Sequence, residues 1–149
     1  MAIFAPDLTQ RAPRSPRVRI NGFVAAARAL DKGRASVIKK NGEYHYNCPL
    51  DQRFFEFVGI DADKLLKELA KGKSDSEIFA WIEKTGKKHP SVEQIHTWSE
   101  LMEARAPSDI ESRGYFSGIQ EKVAPKREDI ATWFELLDVD DYVTFGGTA

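Results

Sequence analysis

An isoleucine stands three residues ahead of a tryptophan at three places in the chain: Ile78 and Trp81, Ile95 and Trp98, Ile130 and Trp133. Three-residue spacing puts both side chains of a pair on one face of a helix. The segments EQIHTWSELME at 93–103 and EDIATWFELLD at 128–138 also share Glu, Ile, Thr, Trp, Glu and Leu at matching places. Two partial copies fall short of a solenoid, which needs about three stacked repeats. The pattern predicts amphipathic helices that deliver their three tryptophans to one core, each indole N–H in need of a partner.

Helix punctuation surrounds these segments. Pro49 takes a first helical position, where its missing N–H costs nothing, and Gly59 stops that helix. Asp61 opens a segment that Gly72 closes. Ser74 with Glu77, Ser91 with Gln94 and Ser108 with Glu111 have capping-box spacing, and Pro107 and Pro125 follow helical stretches as terminators. Upstream, FVAAARALDKGRASVI is rich in alanine, the strongest helix former, although Gly33 weakens it. Asn41-Gly42 is then the strongest short hairpin signal a sequence offers. In that register Lys40 faces Glu43, while Val37 and Ile38 face Tyr46 and His45. A short hairpin is favoured over a continued helix. In the tail, Val139, Tyr142, Val143 and Phe145 suggest an extended segment docked on the domain. Asp138, Asp140 and Asp141 lack the turn glycine and distant glutamate of a calcium loop.

The first 20 residues differ in character. Pro6, Pro13 and Pro16 remove backbone donors and favour extended chain, and Arg11, Arg14, Arg17 and Arg19 lie among them. Such an arm could grip a polyanion, but no basic face elsewhere in the sequence matches it. Docking onto carboxylates of its own domain is the favoured reading. The expected fold is mainly α: a compact six- to seven-helix single domain over residues 21–149, with at most one short β-hairpin and an extended Pro/Arg-rich arm over 1–20.

Composition narrows the function classes. With 149 residues, 42% hydrophobic and 30% charged, the chain has the size and balance of one globular domain. A net charge of −1 gives no global attraction to nucleic acid or anionic membrane. A single cysteine cannot form an internal disulfide, which suits a reducing cytoplasm. Neither a signal peptide nor an apolar run of membrane-spanning length is read from the sequence, so a cytoplasmic protein without a membrane partner is expected.

The strings DLTQRAPRSPRVRINGFVAAARALDKGRA, NGEYHYNCPLDQRFFEFVGID and WFELLDVDDYVTFGG resemble a bacterial family of unknown function, domain-of-unknown-function family 5069. The resemblance spans nearly the whole chain. It implies a single bacterial domain of this length, and no reaction, ligand or catalytic residue comes with it.

Chemistry must therefore come from the residues. GEYHYNCPLDQRFFEF at 42–57 holds His45, Cys48 and an Asp51/Arg53 pair. Cys48 directly precedes Pro49, near the positive end of a helix dipole, and His45 could serve it as a base. The signatures of known thiol enzymes are absent. The expectation is an unreactive thiol, because nothing in the sequence guarantees a cation against the sulfur. His45, Cys48 and Asp51 make a poor metal set without a remote fourth ligand, so no metal or other cofactor is expected. Asp31 with Arg34, and Asp51 with Arg53, could line a pocket for an anion together with Tyr44 and Tyr46. Ion pairs that tie the helices to the hairpin are the favoured reading of these charges. Three classes remain: a non-catalytic helical module binding a protein partner or small anionic ligand near 42–57, a thiol-dependent enzyme using Cys48 with His45, and a nucleic-acid-associated protein using the arginine arm. The first is placed ahead and nucleic acid last.

Overall fold

A computed structural model describes residues 4–149, so the arm's first three residues lie outside the described part. Seven helices follow one another: α1 Ala26–Val37, α2 Pro49–Val58, α3 Ala62–Leu69, α4 Asp75–Thr85, α5 Val92–Ala104, α6 Ile110–Val123 and α7 Trp133–Thr144. The mainly α, compact single domain read from the sequence is the fold observed. Among the described residues no helix is long and apolar enough to cross a membrane.

Local chemistry explains most of the boundaries. Pro49 opens α2, and Gly59 ends it in a left-handed conformation at φ 73°. Asp61 caps α3 by accepting from Lys64 N. Capping boxes start α4 at Ser74/Glu77 and α5 at Ser91/Gln94. On α6 the box is Asp109/Ser112, one residue later than Ser108/Glu111 would place it.

Helix α1 is the central element, buried from Ala26 to Ala35. It does not yield to a hairpin at Gly33. Glycine is needed there for packing: a Cβ at position 33 would lie 2.5 Å from Leu69 Cδ1 and 3.1 Å from Tyr46 Cε1. The expected strands are absent among the described residues, where the only β pairing is an isolated bridge between Ile20 and Phe23. The backbone groups a hairpin would use are engaged elsewhere. Lys40 N donates to Ala35 O, Lys40 O accepts from Leu8 N, and Tyr44 N closes a turn onto Asn41 O.

The tail is also a correction. Residues 133–144 form α7 rather than an extended segment, started by a Thr132/Glu135 capping box absent from the sequence reading. Leu136 and Val139, three apart, pack with Phe116, Ala124 and Ile130 beside α6. The main core joins Phe23, Leu30, Phe54, Phe55, Leu65 and Ile78 among others. A smaller cluster holds Val24, Ala25, Met102 and Phe134.

The three tryptophans do not share a core. Each is half-buried. Trp81 and Trp98 flank the main cluster, where Trp98 stacks on Phe57 at 4.9 Å, while Trp133 meets Phe116 edge-on at 5.2 Å in the α6/α7 cluster. Ile78/Trp81 and Ile95/Trp98 each share one helix, whereas Ile130 precedes the α7 cap at Thr132, and the spacing does not say which neighbour a helical face meets.

The arm lies across its own domain. Pro16 O accepts from Ala25 N at 2.8 Å. Arg14 pairs with Asp31 and Asp75, Arg17 with Asp138, and Arg19 with Glu100 and Glu103. Arg11 is exposed and has no ion pair among the described residues.

Candidate functional site

A helix buried on all sides is usually apolar, yet α1 carries Arg28, Asp31, Lys32 and Arg34, each no more than 7% exposed. Buried charge is tolerated only where it is paired and hydrogen-bonded. Each of the four has such partners. Arg28 Nη1 donates to Asp141 Oδ2 on α7 at 2.7 Å, and its guanidinium lies 5.5 Å from the Tyr44 ring centre. Tyr44 Oη donates to the other Asp141 oxygen at 2.8 Å. Arg34 donates to Asp75 Oδ1 at 2.7 Å and to Lys73 O at 3.1 Å. Asp31 holds Arg14 through three hydrogen bonds, one of them from its backbone N–H. Lys32 Nζ sits 2.9 Å from Asp51 Oδ2.

The sequence-derived candidates thus fall in separate places. Asp31 and Arg34 converge with Arg14 and Asp75, Tyr44 belongs to the Arg28–Asp141 pair, and Tyr46 Oη donates to Ala62 O at 2.7 Å. Asp51 pairs with Lys32, not with Arg53, which is exposed. Cys48 and His45 do not meet: His45 is exposed, and Cys48 Sγ accepts from Lys32 Nζ at 3.1 Å. The expectation of an unreactive thiol rested on a buried sulfur without a cation. The structure gives a partly exposed Cys48 with the Lys32 ammonium in contact with its sulfur.

Electrostatics follow this wiring. Burial pushes the Asp75 carboxyl up, and the hydrogen bonds from Arg14 and Arg34 outweigh it, leaving it below its ordinary 3.8. Burial and then the Asp141 bond raise the Tyr44 hydroxyl; burial and nearby carboxylates raise Tyr46. A carboxyl that titrates lower when folded adds stability above its ordinary value, and that stability is lost as pH falls through the folded value. Chemical denaturation midpoints should therefore fall as pH drops below 3.8. Asp75→Asn should flatten that acid limb while lowering stability at neutral pH. An unchanged acid limb in this variant would refute Asp75's share.

Two clefts carry clustered charged side chains, and the first includes Asp31 and Arg34 of α1. The first, of about 630 Å³, lies between the arm and the α3–α4 turn and is lined by Arg11, Arg14, Asp31, Arg34, Lys73 and Asp75. Its cations are largely committed, since Arg14 and Arg34 serve Asp31 and Asp75 and Lys73 serves Glu68.

The second is a trench of about 750 Å³ between α2, α3 and the end of α4. Phe55, Ile60 and Trp81 supply its apolar surface, and Lys64, Lys67, Lys71, Lys87 and Lys88 stand around it. All five lysines are exposed. Glu56, Asp61 and Glu68 are the acidic residues lining it, with Asp61 committed to its helix cap and Glu68 to Lys71 and Lys73. Lys64, Lys67, Lys87 and Lys88 have no ion pair among the described residues. None of the five is among the sequence candidates, although a signal existed. Lys64 and Lys67 lie three apart on α3, a spacing that lines one helical face, and Lys71 follows in the turn beyond its end.

A family model described as "Domain of unknown function (DUF5069)" matches residues 10–143, and the chain belongs to that family. No curated protein matches the chain.

Proposed function

We propose that this DUF5069 member is a binding module that holds an acidic segment of a protein partner in the lysine-rimmed trench. The observation that carries the reading is a local excess of positive charge: in a chain of net charge −1, five exposed lysines against three carboxylates stand around one apolar-floored trench. Opposite charge speeds encounter and fixes register, while a buried aromatic anchor supplies affinity. The fitting occupant is therefore acidic and carries an apolar side chain that can rest on Trp81, Phe55 and Ile60. Phe55 places the trench at the end of the 42–57 segment.

The competing readings have less support. The arm's Arg14, Arg17 and Arg19 are engaged within the chain, which weakens the case for a nucleic-acid grip. A thiol enzyme with His45 as base lacks the contact it needs. The single cysteine and the absence of a membrane-crossing helix among the described residues agree with a module working in a bacterial cytoplasm.

Trp81 lines the trench and can report occupancy. A synthetic peptide of glutamates interleaved with leucines should shift tryptophan emission, with an affinity that weakens as salt is added. The triple variant Lys64→Glu/Lys67→Glu/Lys87→Glu should lose about tenfold or more in affinity while keeping the wild-type thermal midpoint. Equal binding by this variant would sink the proposal. So would a preference for single-stranded RNA over the acidic peptide.

A further inference from the structure

Under the first turn of α2, away from the trench, a thiol, an amine and a carboxylate meet. Lys32 Nζ lies 3.1 Å from Cys48 Sγ and 2.9 Å from Asp51 Oδ2. The lysine side chain is 4% exposed and Asp51 is buried, whereas Cys48 is partly exposed, so dissolved reagents approach this cluster from the cysteine side. Asp51 is fully buried, and its Oδ1 has no hydrogen-bond partner among the described residues. A buried carboxylate oxygen without a donor is costly and calls for an explanation. One explanation is that a proton arrives there during chemistry at the neighbouring pair.

We infer that Cys48 and Lys32 are an oxidative cross-linking pair closed by peroxides. In the first step the sulfur attacks hydrogen peroxide. An S–O bond forms, the O–O bond breaks, sulfur gives up two electrons, and water leaves with the thiol proton, so Cys48 becomes a sulfenic acid. In the second step the Lys32 ammonium passes one proton to Asp51, and its freed lone pair attacks the same sulfur. An S–N bond forms, the S–O bond breaks, and the oxygen leaves as a second water with the remaining displaced proton. The ledger is one thiol, one ammonium, one carboxylate and one peroxide giving one S–N link, one carboxylic acid and two waters. The link ties α1 to the start of α2. Two equivalents of a small thiol reverse it, returning the cysteine, the amine and a disulfide of the reductant.

Competing fates of the sulfenic acid are restricted by the sequence. No second cysteine exists to form an internal disulfide. Condensation with the next backbone nitrogen, the usual route to a cyclic sulfenamide, is closed because residue 49 is proline and has no N–H. Lys32 is the nucleophile already in contact.

The test treats the full chain with hydrogen peroxide, digests it and analyses the peptides by mass spectrometry. Most Cys48 should appear in a peptide linked to Lys32, with tryptic cleavage after Lys32 lost and then restored by dithiothreitol. Dimedone should trap little Cys48 in the wild type. Lys32→Arg keeps the charge but should give the dimedone adduct instead of the link. Protein unfolded in urea should also give no link, a control that stands even if Lys32→Arg folds poorly. Wild-type Cys48 that stays unmodified, or that accumulates as dimedone adduct or sulfinic acid with Lys32 free, would overturn the inference. Peptide binding in the trench plays no part in these outcomes.

Discussion

Replacing Asp51 by alanine is expected to destabilise the protein by about 3–5 kcal/mol, the cost of removing one partner from a buried ion pair. Asp51 Oδ2 accepts from Lys32 Nζ at 2.9 Å and from Asn47 N at 3.0 Å. Without the carboxylate, the Lys32 ammonium would stay in the interior with the Cys48 sulfur as its remaining partner, because its side chain is 4% exposed. The backbone N–H of Asn47 would also lose its acceptor, just where that residue holds φ at 64° to turn the chain into α2. The pair as a whole is worth less than the loss of either half, since desolvating both charges offsets most of their attraction. The double variant Lys32→Met/Asp51→Leu should therefore lie much closer to wild type than Asp51→Ala. Urea denaturation with an unchanged slope gives both numbers. A loss below about 1 kcal/mol for Asp51→Ala, the level of an exposed pair, would contradict a buried pair at this position.

The sequence reading succeeded where a signal is local. Pro49 removes an orphan donor, while Gly59, Asp61, Ser74/Glu77 and Ser91/Gln94 satisfy orphan backbone groups within three or four residues, and each sits at an observed helix end. It failed where the deciding partner is remote. Asn41-Gly42 has the dipeptide of a tight hairpin, but Leu8, more than thirty residues upstream, takes the carbonyl of Lys40. Gly33 reads as a helix breaker until Leu69 and Tyr46 press against it. Burial of the charged face of α1 is likewise decided at a distance. Asp75, Asp51, Asp141 and Arg14, which make its burial tolerable, come from four other parts of the chain. Of the candidate chemistry, only the i, i+3 contact of Asp31 with Arg34 is local, at 3.9 Å. The Cys48–Lys32 contact joins residues sixteen apart, and no spacing rule points to it.

The same distinction between local pattern and remote partner fixes where truncation of an aromatic side chain hurts most. The tryptophan pattern makes Trp81, Trp98 and Trp133 the natural choices, yet all three are half-buried, Trp81 and Trp98 at the edge of the main cluster and Trp133 at the α6/α7 cluster. Phe54 has no such pattern around it and is 0% exposed. Its ring lies 5.4 Å from Phe23, 6.0 Å from Phe55, 6.2 Å from Phe79 and 6.4 Å from Trp98, so it joins the segment before α1 to helices α2, α4 and α5. Cutting it to alanine opens a cavity that these rings cannot fill together, because each is held by the others. Phe54→Ala should cost about 3–5 kcal/mol. Trp133→Ala should cost clearly less, because the residue is only half-buried and the α6/α7 cluster it serves is small, with four buried residues. Equilibrium unfolding of the two variants side by side decides the order. A larger loss for Trp133→Ala would mean that the cluster between α6 and α7, not the aromatic cluster around Phe54, sets the stability of the domain.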